Sequence, residues 1–315
     1  MSIVSKYLKD ISLLFKYGLG FFLLTGLILA ASWAYNLQHQ LAPLSSTRPG
    51  YLGIAVAFQV LTTVLIVLAW RKNLRLHGVT GISLPYSAAL VGINTLGKYA
   101  PGKILGSVAR AMVIHRQSGQ SRGAILASFQ EQLAMLHSGF SLVIILLAGQ
   151  SFGVLGVLLC TLLCTLSLAF IRYLEPLVSV AARLFKREYR IDQGAYTAAE
   201  TLRYGKIFIY LSAIWLLSSC TLYFCVLTFQ GGPGFDLQQA VLITCLAYLA
   251  GFIALFAPGG IGVRDGVMVG LLAPVTGLPV AVSVSALHRL ITIALDMGLG
   301  CYSFFYMRQQ EKPHV

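Results

Sequence analysis

The chain has 315 residues, 57% hydrophobic and only 10% charged, against roughly a quarter charged in an ordinary soluble domain. That composition excludes a soluble domain, and the lack of alternating segments of about ten residues excludes a membrane β-barrel. A formal charge of +13 would suggest nucleic acid in a soluble protein, but the cations gather between apolar runs, where they orient a membrane protein and meet anionic lipid, so no nucleic-acid partner is expected.

The N-terminus carries Lys6, Lys9 and Lys16 ahead of an apolar run at about 17–36. Ala30-Ala31-Ser32 offers small residues for a signal-peptide cleavage site. The run is long for a signal core and more apolar segments follow, so an uncleaved first span is expected. Further full spans are expected at about 51–70, 124–148, 152–174, 206–229 and 279–306. The loop at about 175–205 mixes Arg183, Lys186, Arg187, Glu188, Arg190, Asp192 and Glu200, which predicts an amphipathic surface helix or linker on anionic lipid.

Two apolar regions differ from these spans. Residues 84–97 form a short run that breaks at Pro101-Gly102 and resumes near 104–114. Residues 238–256 lead to a break at Pro258-Gly259 and a half-helix near 263–274. Each break lies in an Ala-Pro-Gly tripeptide, and the two copies stand 157 residues apart. Irregular backbone at membrane depth is tolerated only where protein or a wet cavity surrounds it, so both regions are expected to be re-entrant or broken-helix hairpins. The fold class is therefore an all-α polytopic membrane protein with about six full spans and two broken hairpins. If 238–256 crosses completely, the count rises to as many as eight crossings.

Charge tests this arrangement. With the N-terminus in the cytoplasm, cytoplasmic segments hold 17 of the 23 basic residues, and the opposite side keeps Arg48 alone. That is the asymmetry of the positive-inside rule, and it also puts the C-terminus in the cytoplasm. Each half, about 1–150 and 151–315, then reads span, span, hairpin, span, and three crossings turn the second half upside down. Inverted repeats with paired Gly/Pro-broken segments build alternating-access transporters, with the site at midplane between the repeats. All 315 residues are expected to form one transmembrane domain.

Charges inside a membrane cost about 2.5–3.5 kcal/mol each on insertion scales, so each needs a reason. Lys98 and Lys103 flank the first break, with Asn94 and Tyr99 close by; with free N–H groups at the next half-helix they suggest a phosphate cradle or two snorkelling lysines. Arg110 follows as ligand or surface anchor. At the second break, Gly259, Gly260 and Gly262 leave the backbone bare, and Arg264 and Asp265 follow at once. Adjacent helical residues do not face each other, so these two are expected to meet different partners, with Asp265 also capping the helix. Glu131 is expected to pair with a basic residue near a break. Arg289 and Asp296, seven apart, share one face of the last span.

Cys160, Cys164, Cys220, Cys225, Cys245 and Cys301 all lie in apolar runs and read as packing residues, without a disulfide framework or a metal pattern. No nucleotide, zinc or serine-hydrolase motif is present, so neither cofactor nor metal is expected.

The sequences Leu96-Gly97-Lys98-Tyr99-Ala100-Pro101-Gly102-Lys103-Ile104 through Arg110, and Ala257-Pro258-Gly259-Gly260-Ile261-Gly262-Val263-Arg264-Asp265-Gly266, resemble the lysylphosphatidylglycerol synthase transmembrane, flippase-like family. Asp265 stands where that family usually has Glu; Glu131 matches a family glutamate, and Gln132 stands where an arginine is expected next. The resemblance implies a multi-spanning bacterial inner-membrane protein that flips an aminoacylated phospholipid or handles a lipid-linked sugar in envelope assembly. The soluble synthase domain of two-part members is not expected here, so aminoacyl transfer is not carried over. The leading expectation is a flippase for a phosphate-bearing lipid, held by Lys98, Lys103 and Arg264. Alternatives are a membrane-embedded transferase acting on a polyprenyl-phosphate sugar, with Glu131 or Asp265 as base, and a non-catalytic partner of an envelope-synthesis enzyme.

Overall fold

The computed structural model describes residues 47–99, 105–167, 198–229, 234–254 and 257–310. The expected first span at 17–36, most of the loop at 175–205, and Pro101, Gly102 and Lys103 lie outside them. Eight α-helices and no strand occur among the described residues: α1 (Pro49–Leu76), α2 (Leu84–Gly97), α3 (Leu105–Ser118), α4 (Ser121–Ser167), α5 (Ala198–Thr228), α6 (Leu237–Ile253), α7 (Val263–Thr276) and α8 (Leu278–Gln310). Four of them, α1, α4, α5 and α8, are long and apolar enough to cross a membrane.

Several helices outrun the apolar stretches that predict them. α1 continues past residue 70 through Arg71, Lys72 and Arg75. Hydropathy registers only what sits in hydrocarbon, whereas straight-chain cations extend a helix readily into the headgroup layer. The short helices start at strong caps. Ser83 Oγ accepts from the Tyr86 N–H at 3.2 Å to open α2. Asp236 and Gln239 form a reciprocal capping box that opens α6.

α4 is not one straight rod. Gly153 sits at φ 58°, ψ −146° inside it. His137 Nε2 lies 2.6 Å from Ser167 Oγ, 30 residues further on, where a straight helix would separate them by about 45 Å. The chain therefore doubles back at Gly153 into two arms, which correspond to the stretches expected at 124–148 and 152–174.

Two apolar cores occupy opposite ends of the bundle. One gathers Trp70 and Leu74 of α1, Leu90 of α2, Ile114 of α3 and Ala127 of α4. The other gathers Ala55 of α1, Leu222 of α5, Ala240 of α6, Leu272 of α7 and Ala281 of α8. Because α1 and α8 run between these cores, the ends are a helix length apart. The α2–α3 pair opens at the first end, where the Thr80 N–H donates to Gln120 Oε1 at 3.3 Å. The α6–α7 pair opens at the other, where Ala240 and Leu272 share the core. Their closed tips point toward each other.

Candidate functional site

The first tip is built by close backbone approach. A Cβ on Gly97 would collide with the Gly106 backbone, so α2 and α3 touch without intervening side chains. Asn94 Oδ1 accepts from Ser107 Oγ at 3.0 Å and ties the same arms. Lys98 and Tyr99 close the last turn of α2 onto the Asn94 and Leu96 carbonyls. At the second tip the chain leaves α6 and turns through Pro258–Gly260 before α7. Gly259 there has φ 59°, a left-handed conformation that a side chain would strain.

The two tips meet. The Gly259 N–H donates to the Lys98 carbonyl at 2.8 Å. Arg289 of α8 grips the same glycine from its other side, donating to the Gly259 carbonyl from Nη1 at 3.2 Å and from Nη2 at 3.1 Å. One turn-pair along α8, Asp296 Oδ2 accepts both Lys98 Nζ and Tyr99 Oη, each at 2.6 Å. α8 thus presents a cation to the second tip and an anion to the first.

Arg264 lies behind the second tip and is 6% exposed. Its guanidinium stacks 3.3 Å above the Tyr248 ring of α6, and Nη2 donates to His288 Nδ1 at 3.1 Å. Its Nε has no partner. Gly251 makes room for it, since a Cβ there would stand 2.9 Å from the Arg264 Cβ. Gly260 lies between Gly251 and Arg264 in the same packing. Asp265 accepts from the Gly262 N–H at 3.2 Å, which caps α7, and lies within electrostatic reach of Arg264.

Arg110 and Glu131 form a separate group. Arg110 is fully buried; it pairs with Glu131, donates to Ser128 Oγ at 3.2 Å and stacks 3.5 Å over Trp70. This joins α3 to α4 and α1, and none of these partners belongs to the second tip. Glu131 and Asp265, the candidate bases of a transferase, are both engaged, one in an ion pair and one in a helix cap.

A family model described as the lysylphosphatidylglycerol synthase TM region matches residues 17–300. The chain belongs to that family. Both breaks, their contact and every candidate residue fall within the match. With four helices fit to cross a bilayer, this member of the lysylphosphatidylglycerol synthase TM region family is a multi-pass membrane protein. Among curated proteins no match to the chain is found.

Of the residues singled out in sequence, the structure brings Lys98, Gly259 and Arg289 into direct contact, with Gly260 and Arg264 immediately behind. Arg110 and Glu131 find each other instead, and Asp265 serves its helix. Sequence reasoning passed over Tyr248 and Trp70 as ligands for arginine. Each is one aromatic in an apolar run; an arginine at membrane depth implies such a partner, but its position along the chain carries no clue to which ring it takes.

Proposed function

We propose that the protein moves a phosphate-bearing lipid, an aminoacylated phospholipid or a lipid-linked sugar, between the leaflets of a bacterial inner membrane. The headgroup sits where the two broken elements meet, and the lipid tails stay in the bilayer. In this reading α2–α3 and α6–α7 are re-entrant hairpins of an inverted repeat, with halves of about 1–150 and 151–315 and both termini in the cytoplasm. The observation that carries it is the Gly259–Lys98 contact, framed by Lys98, Arg264 and Arg289, with Asp296 paired to Lys98. Arginines recognise phosphate bidentately, and the bare backbone of Gly259 and Gly260 allows close approach. Lys103, next to the first break in sequence, would add to the same grip. Arg110 and Glu131 would act as a pair on the hairpin flank rather than on the headgroup. Membership of the family supports a lipid as the cargo.

Reconstituted vesicles carrying labelled phosphatidylglycerol, lysyl-phosphatidylglycerol or a polyprenyl-phosphate sugar test this directly. Leaflet exchange by the wild-type chain, lost in Arg264→Ala and Arg289→Ala variants that still insert, is the expected result. Exchange at the wild-type rate in both variants would remove the site from the proposal, and no exchange of any lipid would remove the function.

A further inference from the structure

The charges at the tips narrow the cargo, on the footing of the reading above. Lys98, Arg264 and Arg289 gather around the Gly259–Lys98 contact, and Arg264 lies within electrostatic reach of both Tyr99 and Arg289. Asp296 is the carboxylate that forms an ion pair here, with Lys98, and Asp265 lies within electrostatic reach of Arg264. Among the other acids with described side chains, Glu131 is engaged with Arg110, and Asp236 and Asp265 cap helix N-termini. The partners of Arg264 are neutral. His288 Nδ1 accepts its hydrogen bond, so that imidazole nitrogen carries no proton, and Tyr248 offers only its ring face. The partner of Arg289 is a carbonyl. Arg264 and Arg289 therefore make no ion pair among the described residues, and the buried Arg264 Nε still lacks any acceptor. Residues 100–104 and 255–256, which adjoin the breaks, add one lysine and no acid by sequence.

We infer that the site takes a doubly charged phosphate headgroup, a phosphomonoester or diphosphate lipid, in preference to a zwitterionic or cationic one. A phosphomonoester carries about −1.5 to −2 at pH 7 and matches these two arginines. A phosphodiester, with one charge, leaves one cation unanswered. An aminoacyl headgroup brings ammonium groups, which need carboxylates; the described tip region has Asp296, already held by Lys98 and Tyr99, and Asp265, held in its helix cap. Desolvated like charges also repel, so the mismatch works against such a headgroup twice over.

The test reads binding and needs no transport. The purified full chain is placed in phosphatidylcholine nanodiscs with spin-labelled phosphatidic acid as the phosphomonoester probe. Unlabelled phosphatidic acid, phosphatidylglycerol and lysyl-phosphatidylglycerol then compete for the immobilised component. Phosphatidic acid is expected to displace the label at roughly tenfold lower concentration than phosphatidylglycerol, with lysyl-phosphatidylglycerol weakest. Arg264→Gln weakens retention of the label, and Asp296→Asn, which removes a negative charge, tightens it; a damaged fold would not produce that gain. Equal or better competition by either of the other lipids overturns the inference, as does weaker retention in Asp296→Asn. Inorganic phosphate that competes as well as phosphatidic acid would assign the site to a soluble phosphate and overturn the lipid assignment. Retained label that never changes leaflet upholds this inference and sinks the translocation reading. Exchange with lysyl-phosphatidylglycerol preferred does the reverse.

Discussion

Gly259 and Lys98, from two segments with no other sequence connection, share a 2.8 Å backbone hydrogen bond that closes the middle of the bundle. Neither residue can make it through a side chain. The contact depends on the left-handed turn at Gly259 and on Tyr99 lying flat beside it: a Cβ on Gly259 would come within 2.9 Å of the Tyr99 ring.

Gly259→Ala is therefore expected to lower stability by about 1–2 kcal/mol from backbone strain, with a further loss from the Tyr99 clash. Making Gly259→Ala in a Tyr99→Ala background removes the clash, so the loss relative to Tyr99→Ala carries the strain alone. Unfolding in both backgrounds in mixed micelles separates the two terms. Equal losses would mean that the Tyr99 clash contributes nothing.

At Asp296 the two donors differ in weight. Tyr99 is 6% exposed, whereas the Lys98 side chain is 44% exposed. Tyr99→Phe should cost about 1.5 kcal/mol, the typical loss of a hydrogen bond to a charged group. Lys98→Met should cost under about 1 kcal/mol, as for exposed ion pairs. The same unfolding assay ranks them, and a larger loss for Lys98→Met would contradict this account.

The Arg110–Glu131 pair is buried on the arginine side and enclosed by Trp70 and Ser128. Glu131→Gln leaves a buried guanidinium without its counter-charge and is expected to cost about 3 kcal/mol. The Arg110→Met, Glu131→Met double variant should recover most of that loss. A double variant at least as unstable as Glu131→Gln would show that the pair does more than neutralise itself.

The fold-back at Gly153 makes a distance prediction. Cysteines at His137 and Ser167, in a chain whose six native cysteines are replaced, should be joined by a short bifunctional thiol reagent. Along a straight helix these positions would stand about 45 Å apart and no such reagent would reach. An absence of cross-link with both thiols labelled would refute the reversal.

Much of this arrangement was legible from residue order. Run length separates the long helices from the short ones, and Pro258 and Gly259 mark the second tip, because these signals are local. The seven-residue spacing of Arg289 and Asp296 puts them on one face, and both do turn toward the tips. What could not be read is which face meets which helix. Nothing near Lys98 in sequence announces Asp296, 198 positions away, or the carbonyl-to-amide contact with Gly259. Glu131 illustrates the same limit: a buried acid requires a cation, yet several basic residues qualify and only packing selects Arg110.

The two greasy cores at opposite ends have a mechanical consequence. Each hairpin is rooted in its own core, while the tips are held by polar contacts: an amide between them, and a guanidinium, an ammonium and a phenol that tie them to α8. The tips thus hang on bonds that water can replace, while their roots are fixed by packing that it cannot.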